Sequence, residues 1–328
     1  QLDRLAASPG VLAIVEDRQN EVQLDETVPL IGANVLHASG LTGEGTAVAI
    51  IDTGTDHEHP MFAGAIAASA CFSSYTVDTR SRCPNGQTVE IGPGAGDACE
   101  WCEARSDHGT HVAGIAAGRD YTFVDNGGAE RTIRGVAPGA MIVAINVFTD
   151  VPETGKTTAL DSDMLAALEW IFLNPDVDLP GGGTAPIVAA NMSIGGGLFD
   201  DFCPFGEFEG VFIQPVISAL RSSGIATIIA SGNDSYNAAT NYPGCIQEAV
   251  TVGATTRSDE VAGFSNSAIM VDLLAPGNEI MSAIETGTSE MEVGVLSGTS
   301  MATPHVAGAF ALLAGAHPLA TVNDIETA

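Results

Sequence analysis

Five apolar runs, rich in β-branched residues, constrain this chain more than any other feature. They are 46–51, 141–147, 186–192, 225–230 and 249–252, and each runs into or follows small or polar turn residues. Within each run the apolar character is continuous rather than alternating. That is the mark of strands buried on both faces, and such strands belong to parallel sheets. Helical patterns lie between them. Residues 160, 164, 165, 168, 171 and 172 repeat at a helical period, and a shorter pattern over 216–223 stops at Gly224. Strands alternating with helices predict an α/β fold, a doubly wound, mostly parallel sheet with helices on both faces. Ligand sites in such sheets lie beyond the carboxyl ends of the strands. Asp52, Ser193 and Asn233 each stand at or just after such an end.

The rest of the composition bounds partners and compartment. The 328 residues include 41 Asp and Glu against 11 Lys and Arg, a formal charge of −30, and the single lysine is Lys156. Such a body repels phosphate backbones, so nucleic acid is not an expected partner. With 45% hydrophobic residues the chain can fill a large core. Its long apolar stretch at 306–316 is shorter than the roughly 20 residues a bilayer span needs, so no membrane partner is expected. Four of the six cysteines, Cys71, Cys83, Cys99 and Cys102, fall in the Gly- and Pro-rich segment 71–105, which reads as a long surface insertion. An even number of cysteines without a second Cys-x-x-Cys favours disulfides over zinc, and an oxidising compartment. Cys203 and Cys245 sit in two short loops flanking the helix and strand that lead to Asn233, and are expected to pair. The other four then pair among themselves in one of three ways. No signal peptide is visible.

Three segments carry chemistry. Ala49-Ile-Ile-Asp52-Thr-Gly54 puts a carboxylate at a strand end. Asp107-His108-Gly-Thr-His111 puts a histidine before a helix of small residues. Gly298-Thr-Ser300-Met-Ala-Thr-Pro-His-Val306 puts a serine at the mouth of an apolar helix. A serine nucleophile needs a base to take its proton and a carboxylate to orient that base. From about Leu41 onward these motifs, in this order, resemble the subtilisin (subtilase) family of serine endopeptidases. The resemblance implies the subtilisin-like variant of the doubly wound fold. It assigns Asp52 as the orienting acid, His108 as general base and then acid, and Ser300 as nucleophile. Ser231-Gly-Asn233 matches the family's oxyanion turn, with Asn233 as side-chain donor. Ser193, Ile194, Gly195 and Gly196, together with Ser231, are implied in substrate binding, through main-chain pairing with extended peptide. Small residues there leave room for a large apolar or aromatic substrate side chain.

The resemblance carries further expectations. Residues 1–24 resemble the tail of the family's inhibitory propeptide, with the catalytic domain over 25–328. Partners are then protein or peptide substrates and the protein's own propeptide, and the enzyme is secreted and extracellular. No cofactor is required for the chemistry and no metal ligand is assigned. A structural calcium ion is compatible with the family but not placed, because His59-Pro60 is followed by Met61 where many members carry an acid. The last eight residues read as a capped helix start that breaks off. His111 and His305 read as packed neighbours, His57 and His59 as turn residues, and Asn237 and Asn241 as loop residues.

Three other readings compete with the endopeptidase. An α/β-hydrolase esterase needs Gly-x-Ser-x-Gly and the order Ser, acid, His, whereas this chain has Gly298-Thr-Ser300-Met-Ala302 and the order Asp, His, Ser. A related peptidase family with a Glu base and an Asp at the oxyanion position is excluded by His108 and Asn233. The alternative from a different class is a catalytically silent protein-binding module on the same fold, against which the complete Asp, His, Ser set argues.

Overall fold

A computed structural model describes residues 22–76, 78–99, 107–203, 211–285 and 292–328. The strands used below are β1 (Val22–Gln23), β2 (Ala47–Asp52), β3 (Ile66–Phe72), β4 (Val89–Ile91), β5 (Met141–Asn146), β6 (Phe148–Val151), β7 (Lys156–Ala159) and β8 (Asp176–Asp178). They continue as β9 (Thr184–Met192), β10 (Gly196–Phe199), β11 (Ala226–Ala230), β12 (Thr240–Tyr242), β13 (Val250–Thr255), β14 (Leu273–Pro276), β15 (Ile280–Ala283) and β16 (Val293–Leu296). The helices are α1 (Leu24–Leu30), α2 (Ala33–Ala38), α3 (His108–Ala117), α4 (Asp161–Leu173), α5 (Gln214–Ser222), α6 (Thr299–Ala316) and α7 (Val322–Glu326).

The core is a nine-stranded sheet in the order β14-β13-β11-β9-β2-β5-β3-β4, with β8 paired antiparallel to β9. Only β4 and β8 run against the others. All five runs expected as parallel strands belong to it. β2 shows why those runs are continuous. Val48 and Ile50 pack in one layer with α3 and α6, while Ala47, Ala49 and Ile51 pack in the other with α4 and α5. Burial of both faces leaves no position for an alternating polar residue.

The winding reverses at β2. From there the chain moves to β3 and β5 on one side, then crosses to β9, β11, β13 and β14 on the other. The registers Met192↔Ile51 and Met192↔Ile229 bring the carboxyl ends of β2, β9 and β11 level. That reversal opens a crevice, where chemistry is expected.

The cysteine-rich segment is exposed over 84–89 but buried at other points. Cys71 is fully buried inside β3, where it pairs in register with Asn146, and β4 extends the central sheet. Cys71 bonds Cys83, one of the three pairings left open, and Cys99 is also disulfide-bonded. The expected bridge between Cys203 and Cys245 is present. Cys102 lies outside the described residues, as do residues 1–21 of the expected propeptide remnant. Residues 22 and 23 form β1, parallel to β15, and Leu24 opens α1. Thr27 and Val28 are buried. Met61, at the position after His59-Pro60, is fully buried and donates its N–H to His59 Nδ1.

Candidate active site

The acid side of the site is built where β2 meets α3. Asp52 closes β2 with no exposure to solvent. Its Oδ1 accepts the Thr53 N–H at 2.7 Å and lies 2.7 Å from His108 Nδ1. Thr53 Oγ1 in turn accepts the Gly109 N–H at 3.0 Å, which ties the first turn of α3 to the strand end. Glycine is required there: a Cβ on residue 109 would lie 2.1 Å from the Gly54 carbonyl oxygen. His108 opens α3, and its side chain is 28% exposed while that of Asp52 is 1% exposed. With Nδ1–H given to the carboxylate, the neutral ring keeps its acceptor at Nε2. Burial by itself would lower the His108 pKa. The charge of Asp52 and the hydrogen bond to it outweigh burial, and the pKa is raised above the ordinary 6.5.

The other histidines behave differently. Burial pushes His111 down to about 3, and its Nε2 lies within reach of the carbonyl oxygens of Ile280 and Gly294. Burial pushes His305 down to about 4, and it is held between Met301 O and Thr27 Oγ1. His59 is buried between Met61 N–H and the Glu292 carbonyl, and burial also lowers His57. His111 and His305 are packing groups that burial keeps neutral, and His59 packs in the same interior; among the described residues that line the crevice, His108 alone pairs with a carboxylate.

The serine side is built where α6 meets the ends of β9 and β11. Ser300 is the second residue of α6, so its N–H has no partner within the helix. Ser300 Oγ lies 3.3 Å from Ser193 O, and Ser193 Oγ donates to Ser300 O at 2.8 Å. This reciprocal pair locks the nucleophile turn to the end of β9. Asn233, exposed on the turn after β11, accepts the Thr299 N–H at 2.8 Å and the Thr299 hydroxyl at 3.0 Å through Oδ1. A backbone N–H can face only the carbonyl oxygen of an amide, so the NH2 of Asn233 points the other way.

These parts share one cleft of about 660 Å³. His108, Ser193, Ile194, Gly195, Gly196, Asn233 and Ser300 all line it. Ser231 does not fit its expected role as a wall residue. It is fully buried, its hydroxyl bonds Asn266 O at 3.0 Å, and its neighbours Ala230 and Gly232 form the wall instead. Asn241, expected in a loop, lies in β12 and lines the cleft. Sequence reasoning also missed the β6–β7 hairpin and the start of α4, which add Phe148, Thr157, Thr158, Asp161 and Met164. Nothing local marks them; the antiparallel pairing of Phe148 with Ala159 brings them to the crevice. Burial raises the Asp161 pKa, and burial together with Asp161 raises that of Tyr242. Among the described lining residues there are carboxylates at Asp161 and Asp234 and no lysine or arginine.

Comparison with known proteins fits this geometry. The chain is 31% identical to the extracellular serine proteinase of Thermus sp. (strain Rt41A), covering all of this chain and 67% of that one. It is 32% identical to subtilisin E of Bacillus subtilis, covering 98% of this chain and 70% of that one. The crystal structure of a cold adapted subtilisin-like serine proteinase superposes with a TM-score of 0.61 at 29% identity, over 88% of this chain and 81% of that one. Among eight of the curated relatives it matches, the chain spans between 53% and 70% of their length. The model of the subtilase family matches residues 43–328, which takes in the crevice and every strand around it; the chain belongs to the subtilase family of serine peptidases.

Proposed function

We propose that the chain is the catalytic domain of a secreted serine endopeptidase that hydrolyses peptide bonds through Asp52, His108 and Ser300. The bond from His108 to buried Asp52, with His108 opening into the same cleft as Ser300 and Asn233, carries this reading. His108 Nε2 takes the Ser300 proton as Oγ attacks the scissile carbonyl, and Asp52 stabilises the imidazolium that forms. Developing charge on the carbonyl oxygen is met by the Ser300 N–H and the side-chain NH2 of Asn233. His108 then gives its proton to the leaving amine, and water repeats the sequence to release the acyl group. No cofactor enters these steps.

Substrate lies against Ser193–Gly196, and the apolar groups of Phe148, Met164, Ile194 and Tyr242 favour large apolar side chains in the cleft. Disulfides and extracellular relatives support secretion. Residues 1–24 are proposed as a propeptide remnant, and the protein's own propeptide as its first partner. A fluorophosphonate probe on the full-length precursor, followed by peptide mapping, tests the core of this reading. The expected result is one adduct, at Ser300, absent from Ser300→Ala. A processed, folded protein that takes no adduct is the silent binding module instead.

A further inference from the structure

The turn that presents Asn233, residues 231–236, belongs to no strand or helix, so its shape must be imposed from outside. Gly232 has φ +106° and Ser235 φ +61°. One distant residue supplies most of the bonds. Asn266 is fully buried, and its Oδ1 accepts the backbone N–H of Asp234 at 3.0 Å and of Tyr236 at 3.1 Å. Its Nδ2 reaches Asn241 Oδ1 at 3.0 Å, Ser231 O at 3.2 Å and Asp234 Oδ2 at 3.3 Å. Its backbone N–H donates to Gly232 O at 2.9 Å, and its carbonyl accepts the Ser231 hydroxyl at 3.0 Å. Two N–H donors converge on Oδ1, so the amide has one chemically consistent orientation.

Residues 231, 232, 234 and 236 are thus all held by Asn266, and residue 233 is left to project between them. The far side of the turn is closed by Thr299, whose hydroxyl accepts the Gly232 N–H at 3.2 Å and donates to Asn233 Oδ1. The packing is as tight as the bonding. A Cβ on residue 232 would lie 2.4 Å from Asn266 Nδ2 and 2.6 Å from Asn241 Cγ. Asn266 itself is absent from the lining of the cleft.

We propose that Asn266 is the positioning residue of this peptidase: it sets the 231–236 turn so that the Asn233 amide meets the oxyanion, without touching substrate. This inference rests on the proposed function. Removing the side chain takes away the one acceptor that ties the N–H groups of Asp234 and Tyr236 together and the amide that bonds Ser231 O, so the turn loses its fixed point and is free to shift. A displacement of about 1 Å suffices to cost on the order of 10²-fold in rate.

The test measures kcat and KM per titrated active site, on a chromogenic peptide, in the mature full-length enzyme. Asn266→Ala is expected to lower kcat about 10- to 100-fold with KM changed less than about threefold, because the lost interaction exists only in the transition state. In an Asn233→Ala background the same substitution should cost less than about threefold more, since the donor it positions is already gone. The acid limb of the pH profile, which belongs to His108, should not move. Asn266→Asp combined with Asp234→Asn keeps a side-chain acceptor for the backbone N–H groups of residues 234 and 236 and should lose less than Asn266→Ala; it also carries the test if the alanine variant does not fold. An equal fractional loss in both backgrounds, a loss expressed in KM, or failure of both variants to fold would overturn the proposal. An inactive wild type would instead sink the proposed function, and a damaged Asn233→Ala beside an unaffected Asn266→Ala would sink this inference alone.

Discussion

The two sides of the cleft are held in position by different physics. On the acid side, a charge does the holding. Asp52 is buried at the end of an apolar strand and grips His108 through a hydrogen bond to its carboxylate, to which Coulomb attraction is added when the ring is protonated. On the serine side, uncharged bonds do it: the Ser193–Ser300 exchange, Thr299 across Asn233, and Asn266 behind the turn. A charged pair in a low dielectric is strong but depends on protonation. A neutral network is indifferent to pH between the carboxylate and amine ranges, but each member depends on its neighbours. The difference teaches where to expect sensitivity to pH and where to expect coupling among mutations.

The largest effect should come from removing what both sides serve. Ser300→Ala and His108→Ala should each cut kcat by about 10⁶, the size seen for such changes in subtilisin itself and borrowed from it, and the double variant should be no worse than either. Full additivity in steady-state assays would show that the two residues do not act as a unit. Asp52→Asn breaks only the charged side, and the corresponding borrowed loss is about 10⁴. Activity needs neutral His108, whose pKa is raised above 6.5, so kcat/KM should fall as pH drops through a value above 6.5. Asp52→Asn removes the groups that raise that pKa and leaves burial, so the acid limb should move to lower pH. A limb that stays in place would mean that Asp52 does not set it.

Smaller effects probe the neutral side. Asn233→Ala should cost about 10²–10³ in kcat, again a magnitude known from subtilisin, with the pH profile unchanged in shape. Thr299→Val deletes the hydroxyl between Gly232 and Asn233 while keeping the shape. It should cost about fivefold in kcat, corresponding to roughly 1 kcal/mol for one net hydrogen bond. A shifted acid limb in either variant would show that the two sides are not physically separate. The smallest change is expected from salt. At −30 the chain repels itself, so the melting temperature should rise from low salt to about 1 M. The acid limb should follow less, because the Asp52 carboxylate that raises the His108 pKa is buried and poorly screened. A melting temperature that falls with salt would show that surface repulsion does not limit stability.

Much of this arrangement was written in local sequence. Continuous apolar runs such as 46–51 can be satisfied only by burial on both faces, so they identified parallel strands. Parallel strands in turn place Asp52, Ser193 and Asn233 at one sheet edge. The motifs around Asp52, His108 and Ser300 were legible for the same reason: each is a strand end or a helix mouth, built from residues a few places apart. Tertiary structure alone decided the rest. Asn266 lies 30 or more residues along the chain from the N–H groups it holds, and its segment has no periodicity to mark it. Arg82, read as part of a surface insertion, is fully buried 3.5 Å from Asp150; the Cys71–Cys83 bridge ties its segment to β3, and residues 80 and 81 pair antiparallel with β6. Ser231 turns inward, its hydroxyl on the backbone carbonyl of Asn266, and Asn241 accepts the Asn266 side-chain NH2; both contacts exist only once the closed chain has brought these segments within hydrogen-bond reach. Local pattern fixes which residues must be buried; which buried polar groups find each other is settled only when strands distant in sequence have come together.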